Sequence, residues 1–205
     1  MHYNTEQEDF WAGEFGSEYV SRNNDDNLAT SKLIMWSKIL SATSGINSVC
    51  ELGCNIGLNL LAIKGIFNNI QLYGVEINSE AARQAKSYGL ENIKNCSISD
   101  FDMQKKVDLV FTVGVLIHIN PEILEEVYEK LFQLTRRYIV VAEYYSPTPQ
   151  MIEYRGHKDR LFKRDFAGEI INKFKLELID YGFFYHRDKL APLDDITWFL
   201  LEKKI

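Results

Sequence analysis

The sequence predicts an α/β protein: a Rossmann-like, seven-stranded, mostly parallel sheet with helices on both faces and a helical N-terminal lid. Three observations predict it. From residue 45 onward, apolar runs of strand length alternate with amphipathic stretches of helix length. The first of these runs, "INSVCEL", is apolar up to its closing acid, as a strand buried on both faces should be. The last two, "LELIDYGFFYH" and "DITWFLLEK", are joined by the short "RDKLAPLD", so they pair antiparallel and one strand near the sheet edge is reversed.

Each element has its own signal. "TEQEDFWAGEF" and "GSEYVSRN" read as short aromatic helices. "NNDDN" breaks the chain and caps a helix over residues 28–42, whose face is Leu33, Trp36, Ile39 and Leu40 and whose stop is Gly45. After the first strand, "GLNLLAIKGIF" is helical, "IQLYGVEI" a strand, and "SEAARQAKSYG" a helix with a Ser cap and a Gly stop. "NIKNCSI" and "VDLVFTVGV" are strands. "PEILEEVYEKLFQLT" opens a helix on proline and acids. "RRYIVVAEY" is a strand and "KRDFAGEIINKF" a helix. The polar stretch between them, "SPTPQMIEYRGHKDRLFKRDF", reads as a long functional loop. With no repeat and no linker, residues 1–205 form one domain, with 1–44 the lid and 45–205 the core.

The net charge of −6 argues against nucleic acid as partner, because phosphate binding calls for a basic excess. No apolar run approaches the ~20 residues that span a bilayer. The start of the sequence is polar and acidic, and the three cysteines form no CxxC pair, so a reducing, cytoplasmic location without a metal is expected.

The chemistry gathers at "SVCELGCNIG", residues 48–57. In open α/β sheets ligands sit at the carboxyl ends of the strands. Gly53 and Gly57 remove side chains there, with Asn55 between them, so that a ligand can touch backbone. Where a dinucleotide fingerprint has its first glycine, this chain has Glu51, which would repel a pyrophosphate. A cation reverses that argument. S-adenosylmethionine carries a sulfonium and an ammonium and no phosphate, and Glu51 is placed to hold the ammonium. Glu76 ends the second strand, where an acid accepts from both ribose hydroxyls, with Ile77 beside it. Ser99 or Asp100 would meet the adenine amine. Val113, Gly114, Val115 and Leu116 would line the methionine arm.

These pieces, in this order, resemble the class I, Rossmann-like S-adenosylmethionine-dependent methyltransferases. A narrower resemblance spans nearly the whole chain. "TEQEDFWAGEFGSEYVSRN", "ELGCNIGLNL", "GVEIN", "GVLIHINPE" and "EYYSPTPQMIEYRGHKDRLFKRDFAGE" look like the pseudaminic acid biosynthesis-associated methylases, bacterial proteins linked to nonulosonic sugar and surface glycan pathways. The resemblance implies S-adenosylhomocysteine as the product and a small metabolite as acceptor.

Methyl transfer leaves the protein to align, desolvate and sometimes deprotonate. His118 is a candidate base after the fourth strand, with packing as its alternative. Glu143 and Tyr144 end the fifth strand and could orient or deprotonate the acceptor, or simply face solvent. Tyr154, Arg155, His157, Lys158 and Arg160 could bind a carboxylate or phosphate, with a solvated loop as the alternative. In the lid, Trp11 and Tyr19 would cover the ligand and Arg22 would pair with the methionine carboxylate. The expected activity is methylation, at oxygen or nitrogen, of a small, anionic, sugar-related metabolite. A protein acceptor and a non-catalytic module of a glycan assembly complex are the alternatives.

Overall fold

In the computed structural model the backbone of residues 4–22 and 26–204 and the side chains of residues 4–20 and 28–204 are described. Three helices come first: α1 (Glu6–Ala12), α2 (Glu14–Arg22) and α3 (Asp26–Leu40). Then follow β1 (Ser48–Leu52), α4 (Leu58–Ile66), β2 (Gln71–Glu76), α5 (Ser79–Ser87), β3 (Ile93–Asn95) and β4 (Val107–Val113). A 3-10 turn (Leu116–His118) precedes α6 (Leu124–Leu134) and β5 (Thr135–Glu143). The chain closes with β6 (Gln150–Tyr154), β7 (His157–Lys163), α7 (Phe166–Phe174), β8 (Glu177–Phe184) and β9 (Ile196–Glu202).

Seven strands form one sheet in the order β3-β2-β1-β4-β5-β9-β8. β1, β2, β3, β4 and β5 pair parallel, and β9 runs antiparallel to both β5 and β8. The fold class is as expected, reversed strand included. All five residues of β1 are buried, because the sheet is covered on both faces. On one face α3 and α4 close the core with Trp36, Ile39, Leu60 and Ile63, and the Trp36 ring lies 4.4 Å from that of Phe111. On the other face α6 and α7 contribute Leu131, Leu134, Phe166 and Ile170.

Four local expectations are corrected. First, α3 is not lid. It packs on α4 and puts Met35, Trp36, Ile39 and Leu40 into the main core, while Leu33 is exposed; it lends Leu28 and Lys32 to the cavity wall, and α1 and α2 form the lid. Second, α5 is capped by Asn78, not Ser79: the Asn78 Oδ1 accepts from the amides of Glu80 and Ala81 at 3.1 and 3.0 Å. Third, Pro121 lies outside α6, which starts at Leu124 behind a non-helical turn. Fourth, the polar stretch after β5 is no loop. Its residues 150–163 form the antiparallel hairpin β6–β7, whose alternation is hidden by charged side chains on its exposed face.

Candidate active site

The site lies at the carboxyl ends of β1, β2 and β4, in a cavity of about 560 Å³. β1 delivers Glu51, only 1% exposed. Its Oε1 accepts from the Asn59 side-chain amide at 2.6 Å. The Asn59 Oδ1 in turn accepts from Lys32 Nζ at 2.8 Å and Trp36 Nε1 at 3.3 Å. Both of those atoms only donate, so the Asn59 amide is fixed with its NH₂ toward Glu51. The Glu51 Oε2 is buried and has no hydrogen-bond partner among the described residues. Burial pushes the Glu51 carboxyl up to about 8, opposed by the Asn59 hydrogen bond and the Lys32 charge. Burial likewise pushes Lys32 down.

The turn after β1 passes through Gly53 (φ 77°) and Asn55 (φ 48°). A Cβ on Gly53 would stand 2.6 Å from Val115 Cγ2, so the glycine lets the loops after β1 and β4 close on each other. Glu76 anchors the same turn. Its Oε2 accepts from the Asn55 amide at 2.7 Å and its Oε1 from the Asn78 amide at 2.8 Å. Burial raises its carboxyl and these backbone donors offset part of that.

The roof is the lid. Asn78, which caps α5, also sends its Nδ2 to the carbonyls of Trp11, Ala12 and Gly13 and to Ser17 Oγ, at 3.2–3.4 Å. One amide thus ties the α1–α2 corner to the loop after β2. Gly16 makes room: a Cβ there would fall 1.9 Å from the Trp11 carbonyl oxygen. The hairpin meets the lid from the other side. Phe10 and Phe15 pack on His157, at ring separations of 4.9 and 5.8 Å, and Gln7 Nε2 donates to the Asp159 carbonyl at 3.0 Å.

His118 stands under this roof. Its Nδ1 lies 2.6 Å from the Arg160 carbonyl oxygen. A carbonyl only accepts, so Nδ1 carries the proton and Nε2 keeps its lone pair. Burial pushes the imidazole down to about 4, so it is neutral at ordinary pH. Trp11 and Tyr154 flank its ring at 4.5 and 5.1 Å.

Of the residues singled out in the sequence, Trp11, Tyr19, Glu51, Gly53, Asn55, Glu76, Ile77, Ser99, Val113, Gly114, His118, Tyr144, Tyr154 and Arg155 line this one cavity. Others do not. Gly57 (φ 83°) sits against Leu90, 2.2 Å from where its Cβ would be, and serves helix packing rather than ligand contact. Asp100 is exposed and only Ser99 of that pair faces inward. Leu116 belongs to the core. Glu143 is buried and holds the amides of Val115, Leu116 and Ile117 at 3.1, 3.1 and 3.4 Å. It therefore positions the turn that carries His118 and does not reach the cavity. His157 packs on the lid, and Arg160 pairs with the exposed Glu6 at 3.3 Å. Arg22 carries an expectation that lies outside the described side chains. Lys32, Asn59, Asn78 and Gln7 went unread. The signal for Lys32 was its position one turn before Trp36 on the same helical face.

Residues 49–137 match the family model described as a methyltransferase domain. This stretch, from β1 into β5, is thus similar to a methyltransferase domain. No curated protein matches the sequence. Among solved structures, magnesium protoporphyrin IX methyltransferase (ChlM) from Synechocystis PCC 6803 with bound SAH superposes with a TM-score of 0.71 at 14% identity, over 96% of this chain and 98% of that one. The 1,6-didemethyltoxoflavin-N1-methyltransferase of Burkholderia thailandensis gives 0.70 at 14% identity, over 97% and 87%. A putative methyltransferase complexed with the Haloferax volcanii Trm112 activator gives 0.70 at 13%, over the whole of both chains. At such identities these likenesses speak for the fold. Among the described residues no helix is long and apolar enough to cross a membrane. Nor do they include a cluster of His, Cys, Asp or Glu side chains placed to hold a metal ion.

Proposed function

We propose that this methyltransferase domain acts on a hydroxyl of a small, sugar-related metabolite, with His118 as the group that takes the proton. One observation carries the reading: the Arg160 carbonyl fixes the His118 tautomer, so that Nε2 keeps its lone pair on a residue that lines the cavity. A hydroxyl needs such an acceptor more than an amine does. The sugar-related part, a nonulosonic acid or nucleotide-linked sugar of surface glycan synthesis, rests on the sequence resemblance. Arg155, at the hairpin turn and on the cavity, remains for an anionic group; His157 and Arg160 are engaged elsewhere. A roofed cavity suits a small acceptor better than a peptide. The cytoplasm is the compartment we assign, on three free cysteines.

The residues fit the cofactor. Glu51 Oε2, buried and unpartnered, suits a cationic ammonium, and Lys32 supplies a buried cation for the carboxylate that the sequence assigned to Arg22. Glu76 keeps lone pairs for the ribose hydroxyls after serving Asn55 and Asn78. Ile77 and Ser99 border the adenine, and Gly53, Asn55, Val113 and Gly114 the methionine arm. S-adenosylmethionine, when bound, supplies a methyl group already activated on a sulfonium. The chain itself excludes water through the lid, aligns the acceptor between Trp11, Tyr144 and Tyr154, and receives the hydroxyl proton at His118 Nε2. Tyr144 stays a neutral phenol, because burial and the Asp194 charge push it up.

The test is His118→Asn, which keeps a donor for the Arg160 carbonyl and removes Nε2. Turnover should fall about 100-fold, near the lower end of general-base effects because so weakly basic a ring gains less. Cofactor affinity should stay put. Unchanged turnover would remove His118 from the chemistry.

A further inference from the structure

Two buried polar atoms in the roof have no hydrogen-bond partner among the described residues. Gln7 is 7% exposed and lines the cavity. Its Nε2 is engaged by the Asp159 carbonyl, so its orientation is set, and its Oε1 is buried without a partner among the described residues. Trp11 stands one turn later on the same face of α1. Its Nε1 is also buried, unpartnered among the described residues, and its residue lines the same cavity. A buried donor or acceptor left unmade costs about 1–3 kcal/mol, so two on one wall point to a ligand that makes them.

The third member is His118, whose ring lies 4.5 Å from that of Trp11 and whose Nε2 only accepts. Together the wall offers two acceptors, Gln7 Oε1 and His118 Nε2, and one donor, Trp11 Nε1. None of the three is charged. The neighbouring Glu8, 8% exposed and on the cavity, is acidic, and its Oε2 is held by the amides of Asn4 and Thr5 at 2.7 and 3.2 Å. An anionic group would be repelled there.

Resting on the reading of His118 as proton acceptor, we infer that Gln7 and Trp11 form a recognition site for an uncharged pair of adjacent hydroxyls on the acceptor. One hydroxyl donates to His118 Nε2 and is the one methylated. Its neighbour donates to Gln7 Oε1. Trp11 Nε1 donates to an oxygen of the pair, and the Trp11 and Tyr154 rings flank the carbon skeleton. Any acidic group of the acceptor lies away from this wall, toward Arg155. The lid therefore selects the acceptor as well as closing over it.

The experiment uses the full chain saturated with S-adenosylhomocysteine, and methyl glycosides as probes. Methyl mannoside carries a cis pair of ring hydroxyls, and its 2-deoxy and 3-deoxy forms lack one partner. Saturation-transfer NMR and titration should show binding of the intact pair, and about tenfold weaker binding of each deoxy form. Trp11→Phe keeps the ring and removes the donor. Gln7→Met keeps the length and removes the acceptor. Each should weaken the intact probe about tenfold and narrow its preference over the deoxy forms, with S-adenosylhomocysteine affinity unchanged. Equal binding of intact and deoxy probes overturns the inference, as does no glycoside binding, a requirement for a carboxylate on the probe, or variants that bind like the parent. A wild-type chain that fails to bind S-adenosylhomocysteine would instead sink the cofactor reading. Failure of His118→Asn to slow turnover, with the diol preference intact, would sink only the proton-acceptor role.

Discussion

The floor of the cavity hangs from strand ends, whereas its roof is two short helices leaning on a hairpin. Glu51 and Glu76 project from β1 and β2 in the middle of the sheet, and Glu76 is clamped by backbone amides on either side. The roof has no such frame. It is held by Asn78 Nδ2, by the packing of Phe10 and Phe15 on His157, and by the bond from Gln7 to the Asp159 carbonyl. A rigid floor suits a ligand common to many acceptors. A roof built of a few weak contacts can open and can be varied.

The sharpest break in that contrast comes from the floor. Glu76→Ala should weaken cofactor binding at least about 100-fold, since two hydrogen bonds to a charged acceptor are worth roughly 3 kcal/mol and the Asn55 turn also loses its anchor. Unchanged affinity by calorimetry would remove Glu76 from the cofactor site. Next in size is the pH response of His118. Because burial holds the imidazole near 4 rather than 6.5, it is neutral and able to accept at every pH above that, so the acid limb of kcat should fall near pH 4. A limb near 6.5 would mean the ring is solvated in the working enzyme, with the roof open.

Asn78→Ala tests the tie between the two regions. It removes a helix cap of about 1 kcal/mol as well as the lid tether. The acceptor KM should rise severalfold while cofactor affinity falls less; equal losses would show that floor and roof act as one body. Glu51 gives a subtler signature. Burial raises its carboxyl, which favours the protonated form in the free protein. A bound ammonium favours the carboxylate, so cofactor binding at pH 7 should release a proton, seen as buffer-dependent heat. Glu51→Gln should show none. The smallest effect is expected at Glu6→Ala. Its partner Arg160 is largely buried but Glu6 is 84% exposed, so the pair contributes under about 1 kcal/mol and turnover should barely change.

The same contrast explains what could be read in the residues. Glu51, Gly53 and Glu76 follow a local rule, strand then turn then helix, and the pattern fits in a short window. The parallel sheet with one reversed strand near its edge follows from the same alternation, whereas the strand order came only from the structure. The roof obeys no local rule. Gln7 and Asp159 meet only because the hairpin folds back over the lid, and the hairpin's alternation is masked by Glu153, Lys158 and Asp159. Glu143 looked like a pocket acid because it ends a strand as Glu51 does. Only the course of the next loop shows that its oxygens face the amides of residues 115–117. His157 and Arg160 looked like anion ligands because charge alone does not tell which side of a hairpin faces in.

The chain has three tryptophans, and they are distributed unevenly. Trp36 and Trp198 are sealed in the core, while Trp11 sits in the cavity wall against His118. Excited at the indole band, the first two give a fixed blue emission. Quenching or a spectral shift on adding a ligand then reports from the lid itself, and stopped-flow fluorescence can time its closure without any attached dye.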